Sequence, residues 1–298
     1  MTSLAQNVVV IGSSGQVGTA TIKALAAKYA SNTNVKAGVR DPQSAKAREI
    51  ERLGTNIHVV HADMNDKPSI RTVCANADAV FVVVPGHIDR ERLAQNAIEG
   101  AVAANAKFIL LLSVITADTD TIFGRQFGPI ERYLKNKIVD YAILRVPFFI
   151  DNLWSSQATI RSQSKIYAPV NSRKKFSPVA VSDVGEAAAA ILANHEPHHG
   201  KTYKVAMKPT SYSKIAKSVS KVLDKDVDYV QVSWDETKQA FLQLGYPEWQ
   251  VNGMMELLRY FDKGSKVTKE KSSDVKELTG HKATGVKSWM RPKQAAFH

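Results

Sequence analysis

Hydrophobic positions along the first 150 residues follow two alternating patterns. Short continuous apolar and β-branched runs at 7–11, 35–39, 57–61, 79–84, 108–112 and 141–144 predict strands of the kind covered on both faces of a sheet. Between them, stretches at 16–29, 44–53, 68–75, 90–105 and 129–137 carry apolar residues at helical spacing, set off by Gly, Asn, Asp and Pro. Strand and helix in strict alternation imply an α/β, doubly wound parallel sheet. The rhythm breaks after Arg145, at Val146-Pro147-Phe148-Phe149-Ile150-Asp151-Asn152. Predicted helices at 183–194, 212–223, 235–244 and 249–261, with strands at 202–207 and 227–232, then form a smaller C-terminal α/β lobe. The expected division is 1–150 and 151–298, with the chain free to cross back between lobes.

Composition narrows the class. The 298 residues are 44% hydrophobic and 23% charged, near globular averages, so a packed core is available. The single cysteine, Cys74, cannot form an intrachain disulfide, which fits a reducing compartment and a cytoplasmic protein, with the nucleus as a second location. Residues 1–6 lack the basic start of a signal peptide, and the longest apolar runs, 108–112 and 187–193, fall far short of the roughly 20 residues that span a bilayer. Forty Lys and Arg against 28 Asp and Glu give a net charge of +12. Arg161, Lys165, Arg173, Lys174 and Lys175 cluster without an acid at 160–176, and 263–293 is again basic. We read these as a solvated loop and tail; no helix-turn-helix, zinc-finger spacing or aromatic-laced basic strand accompanies them, so nucleic acid is a minor partner hypothesis.

Candidate chemistry starts at the first strand, which runs into Gly12-Ser13-Ser14-Gly15-Gln16-Val17-Gly18 and then a helix. Three glycines at this spacing permit a tight turn, close approach of backbone to a pyrophosphate, and close helix–strand packing, while the helix N-terminus supplies amides and positive dipole. The second strand ends at Gly38-Val39-Arg40-Asp41, where a dinucleotide ribose would lie. Arg40 favours NADP(H) over NAD(H), because a guanidinium pairs with a 2′-phosphate; Asp41 keeps the other option open. Asp63, after the third strand, is placed to accept from an adenine amino group, and Asp66 suits the following helix N-cap better.

These residues resemble the atypical short-chain dehydrogenase/reductase superfamily and, within it, the NmrA-like family. The resemblance covers nearly the whole chain, through the glycine loop, Val39-Arg40-Asp41-Pro42, Ala62-Asp63-Met64-Asn65-Asp66, the strand ending at Ser113, 143–152, Val179-Ala180-Val181-Ser182-Asp183-Val184, His199-Gly200-Lys201-Thr202-Tyr203 and Gly245-Tyr246-Pro247-Glu248-Trp249. It implies a Rossmann domain that binds NAD(P), with a small lobe closing a cleft over the nicotinamide. The expected cofactor contacts are Gly12, Ser14, Gly15, Gln16, Val17, Gly18, Arg40, Asp63, Met64, Val84, Pro85, Ser113 and Phe148. Some members of the family reduce quinones, azo dyes or small carbonyls; others are regulators for which the cofactor is a signal.

Carbonyl-reducing members pair Ser with Tyr-x-x-x-Lys, a general acid tuned by a neighbouring cation. Ser113 matches the serine. Counting back from Glu131, which resembles the acid four residues after the family's lysine, places Phe127 at the lysine and Phe123 at the tyrosine, and neither transfers a proton. A literal Tyr133-Leu134-Lys135-Asn136-Lys137 exists, but Lys137 lies only eight residues before Arg145, too close to the next strand for a working pair. We therefore assign no catalytic residue. His195, His198 and His199 lack ligand spacing and read as exposed surface groups; no metal is expected. Cys74 reads as a small core residue, while Trp154 and Trp249 are candidates for lining a cleft. The reading that follows is a redox-sensing regulator that binds NADP(H) and a protein partner. The alternative is an NAD(P)H-dependent reductase, with Phe123, Phe127, Phe148 and Phe149 stacking on a small aromatic acceptor.

Overall fold

The structure, a computed structural model, describes residues 5–269 and 272–298. The N-terminal stretch read above lies mostly outside the described residues, as do two positions of the basic C-terminal segment. Strands β1 (Gln6–Ile11), β2 (Thr33–Val39), β3 (Ile57–His61), β4 (Ala79–Val82), β5 (Phe108–Val114) and β6 (Asp140–Val146) alternate with helices α1 (Gln16–Lys28), α2 (Ala45–Glu51), α3 (Lys67–Val73), α4 (Arg90–Ala103) and α5 (Ile122–Lys135). The chain continues through α6 (Gln157–Gln163), β7 (Lys165–Ala168), α7 (Val181–Ala193), β8 (Thr202–Lys204), α8 (Tyr212–Leu223), β9 (Asp228–Gln231), α9 (Trp234–Gln243), α10 (Glu248–Lys263), α11 (Asp274–Thr279), α12 (Val286–Met290) and α13 (Gln294–Phe297).

The main sheet is parallel, in the order β3-β2-β1-β4-β5-β6-β8. Its strands are apolar on both sides because both sides are covered. Val8, Val10, Phe81 and Leu110 pack under α1, α2 and α7, whereas Val9, Ile11, Val82 and Leu111 pack under α3, α4 and α5. A third core, around Ile160, Phe176, Val219, Phe261 and Trp289, belongs to the C-terminal elements. Strand order reverses between β1 and β4, and that switch point, at the carboxyl ends of the strands, is where open sheets of this kind bind ligands.

The chain leaves the sheet after β6 and returns to it. Helix α7 lies against α1, so closely that a Cβ on Gly185 would stand 2.5 Å from the carbonyl carbon of Ala20. Strand β8 then pairs with β6.

Four expectations are corrected. Helix α5 begins at Ile122 and not at Pro129: Thr121 caps it by accepting from Gly124 N, and Gly124 and Gly128 are where its backbone presses on the 116–119 turn. The basic stretch 160–176 is not a solvated loop, since it holds the end of α6 and β7, which pairs with β9, and ends in the buried Phe176. Nor is 263–293 a loose tail: α11 packs on α7 and α12 on α8. His195 and His198 are not exposed groups either. His195 is buried and stacks on Phe108 with ring centroids 5.3 Å apart, and the His198 ring bonds the Tyr203 hydroxyl at 2.6 Å. Burial depresses both imidazole pKa values. Among the described residues no helix is long and apolar enough to cross a membrane, and no cluster of side chains is arranged to hold a metal.

Candidate functional site

The loop between β1 and α1 has the geometry of a phosphate cradle. Gly12 stands at φ +86°, and a Cβ there would lie 2.4 Å from the Val83 carbonyl oxygen. A Cβ on Gly18 would meet the Gly12 carbonyl at 2.3 Å. These two positions require glycine, one for conformation and close approach, the other for packing of helix on loop. Gly15 is the N-cap of α1, with no side chain capping the helix end. Ser14, Gly15 and Gln16 are exposed, whereas Val17 is buried beneath them. The first amides of α1 therefore face an open cleft with no intrahelical acceptor, which fits a pyrophosphate.

The tips of the neighbouring strands sort their own charges. Asp41 accepts from Gln43 N at 2.9 Å, so its carboxylate is engaged in the turn before α2. Arg40 is exposed and contributes its backbone carbonyl to His61 Nδ1. Asp63 accepts from Asn65 N at 2.9 Å, and buried Met64 offers its carbonyl to Asn96. Asp66 does occupy the N-cap of α3, although its side chain makes no capping bond.

A cavity of about 440 Å³ opens on the loop. Ser14, Gly15, Gln16, Lys23 and Lys46 line one side; Asp151, Trp154, Val181 and Ser182 line the other. Asp151 ties this second wall together by accepting from Val181 N at 2.8 Å and from Trp289 Nε1 at 3.0 Å. Trp154 lies against Phe297, the ring centres 4.9 Å apart and the planes tilted by 34°.

Farther along the strand ends, Val84 is buried and Pro85 exposed. The Pro85 carbonyl accepts from Arg90 Nε at 3.1 Å. Arg90, the first residue of α4, is 7% exposed and donates through Nη1 to Gln126. Its guanidinium carbon lies 4.6 Å from the Phe127 ring centre, 5.9 Å from Trp249 and 6.0 Å from Phe123. Burial lowers its pKa to about 10. The sequence reading missed Arg90, which looked like an ordinary helix start, because its burial depends on residues of α5 and α10.

Ser113 is fully buried and donates to Glu131 Oε1 at 2.5 Å. Arg145 clamps the same carboxylate through Nε and Nη2 at 2.8 and 2.6 Å, and also holds Asp118. Hydrogen bonding from Arg145 keeps Asp118 below the usual carboxylate range, and the bonds to Glu131 raise the pKa of Arg145 still further. Phe148 meets Phe261 edge-on at 5.8 Å and Phe176 at 6.0 Å, at the margin of the C-terminal core. Tyr133 donates to Glu99 and carries Lys137 over its ring at 4.0 Å, so this pair is engaged with α4. Cys74 is buried, its thiol pushed up to about 12.

Comparison with known proteins accords with this architecture. The chain is 27% identical over 254 residues to an NAD(P)H azoreductase of Xenophilus azovorans, covering 84% of this chain and 85% of that protein. Its fold superposes with TM-score 0.83 on the NADPH complex of quinone oxidoreductase QOR2 from Escherichia coli, at 22% identity, covering 96% and 99% of the two chains. NmrA, a negative transcriptional regulator solved in complex with NAD, superposes with TM-score 0.77 at 13% identity, covering 97% and 95%. The family profile described as NmrA-like matches residues 5–290, nearly the whole chain. A Rossmann sheet, a glycine cradle at its switch point and this match lead to one conclusion: the chain belongs to the NmrA-like family.

Proposed function

We propose that the protein is an NADP(H)-dependent reductase of small, flat, conjugated acceptors of the quinone or azo type. The observation that carries this reading is the apolar pair on α5. Counted back from Glu131, Phe123 and Phe127 stand where a proton-donating pair would be needed for simple carbonyls, and both pack about Arg90, Phe123 half-buried and Phe127 buried. A surface of this kind suits ring stacking and an acceptor that takes its proton from water. The azoreductase relative and the quinone oxidoreductase neighbour support the same acceptor class.

A bound dinucleotide supplies hydride chemistry; the protein's own residues supply binding and placement. Gly12, Gly15 and Gly18 let the backbone reach the pyrophosphate, with Ser14, Gln16 and Val17 offering the amides of the turn. Arg40 takes the 2′-phosphate, because Asp41 is committed to its turn and leaves the guanidinium as the charge at the strand tip. Asp63 and Met64 border the adenine side, while Val84, Pro85, Ser113 and Phe148 border the nicotinamide side. Residues 1–150 carry the dinucleotide and 151–298 supply the second wall of the cleft. With one buried cysteine and no disulfide, we place the protein in the cytoplasm.

The test is NADPH consumption, followed by near-ultraviolet absorbance, with quinones, azo dyes and aldehydes. We expect turnover with quinones or azo dyes, none with aldehydes, and loss of turnover in Gly15→Trp, whose side chain fills the cradle.

The same phenylalanines favour one other reading, a redox-sensing regulator, since a cofactor bound beside no proton donor serves as a ligand. Such a ligand acts only by binding two states differently. Affinity for a protein partner would then change between saturating NADPH and NADP+; equal affinities would dismiss it.

A further inference from the structure

Arg90 is more than nine-tenths buried, yet the partners of its side chain are a backbone carbonyl and a neutral amide. Among the described residues no carboxylate accompanies it. Burying a cation this way is costly unless something returns the lost solvation. The faces of Phe127, Trp249 and Phe123 return part of it. Among the described residues Nη2 has no hydrogen-bond partner. It borders Gly86, where a Cβ would stand 3.6 Å from Nη2 and 3.8 Å from the Gln250 amide nitrogen. The open donor thus lies between the exposed 85–89 turn and Gln250 of α10.

We propose that Arg90 is the specificity-determining anchor for the acceptor, receiving an anionic oxygen carried by a flat aromatic ring. This deepens the reading of the cleft given above and rests on it. Half-buried Phe123 and Trp249 supply a surface for the ligand's aromatic body, and Nη2 supplies the donor for one oxygen at its edge. Ligands with a phenolate, enolate or carboxylate oxygen are preferred over neutral ones of the same shape, because the charge pairs with a cation that otherwise lacks a counter-ion. The residue also straps the 85–89 turn: Arg90 holds Pro85, and Gln126, which accepts from Arg90, reaches toward the His87 carbonyl. An anion on Nη2 therefore tightens the turn.

The test is equilibrium binding to the full-length protein saturated with NADP+, so that no hydride is available, and in parallel without it. Two probes of equal shape are compared: a hydroxynaphthoquinone ionised at neutral pH and its neutral methoxy ether. We expect the ionised probe to bind about tenfold or more tightly than the ether, Arg90→Met to abolish that preference, and amide exchange in the 85–90 segment to slow with the ionised probe alone. Equal affinities of the wild type for the two probes overturn the proposal, as does a preference that survives in Arg90→Met. If that variant does not fold, the exchange experiment on the wild type decides: protection elsewhere than 85–90 overturns it equally. Turnover of quinones with no preference for the ionised probe sinks this inference and leaves the proposed function standing. Anion binding at Arg90 without turnover does the reverse.

Discussion

Arg40, just past β2, and Arg90, the first residue of α4, are the side chains on which the proposed binding chemistry rests. Arg40 is free at the tip of β2 because Asp41 has turned into the loop. Replacing Arg40 by Ala is expected to raise the Kd for NADPH about tenfold or more and to leave that for NADH unchanged, the usual worth of a charge-assisted bond to phosphate. Fluorescence titration with both dinucleotides checks this, and equal losses for the two would remove the 2′-phosphate assignment. Arg145 is different, being spent on structure: it and Glu131 are both buried and doubly bonded. Glu131→Gln leaves the guanidinium with only Asp118 as counter-ion and sets an amide NH2 against a donor of Arg145 or Ser113. We expect a loss of about 3 kcal/mol in urea unfolding, larger than the roughly 1 kcal/mol of Ser113→Ala.

At the scale of elements, helix ends and close crossings decide what the site looks like. Helix α5 starts seven residues earlier than its sequence pattern indicates because Thr121 caps it and Glu256, from α10, accepts from Ile122 N at 2.6 Å. That early start is what brings Phe123 and Phe127 beside Arg90. At the end of α7, His195 stacks on Phe108 of β5 in a setting where burial disfavours the imidazolium. The folded-state pKa is thus below the unfolded value near 6.5. The folded protein binds fewer protons, so this contribution to stability is fully present above about pH 6.5 and is lost as pH falls toward the folded pKa. Urea midpoints measured between pH 7.5 and about 5 should decline, and His195→Leu should flatten that decline; an unchanged slope would move the acid sensitivity elsewhere.

For the whole molecule, the return of α7 and β8 to the main sheet makes the two lobes interdependent. The C-terminal α11 packs on α7, with Asp183 accepting from Thr284, and α12 packs on α8 of the smaller lobe. We therefore expect one cooperative unfolding transition, and NADPH at a hundredfold its Kd to raise stability by about 2.7 kcal/mol. Two separable transitions, only one shifted by NADPH, would show that the lobes unfold independently. Among the described residues the basic positions of 160–176 and 263–293 lie partly in folded elements, Arg161 in α6, Lys165 in β7 and Lys287 in α12.

The alternation of strand and helix, the glycine cradle and the family resemblance were legible in the sequence, because each is written in neighbouring residues with a short period. Strand runs apolar on both faces can only be buried in a covered parallel sheet, and three glycines at that spacing answer to local backbone geometry. The Arg90 box, the Ser113–Glu131–Arg145–Asp118 network and the burial of His195 were decided by tertiary structure alone. Each joins side chains tens of residues apart or more: Arg90 meets Phe127 and Trp249 only after α5 and α10 have packed at the end of β4. Periodicity records which face of an element is buried. It does not record which distant face it is buried against, and the chemistry of this cleft depends on that.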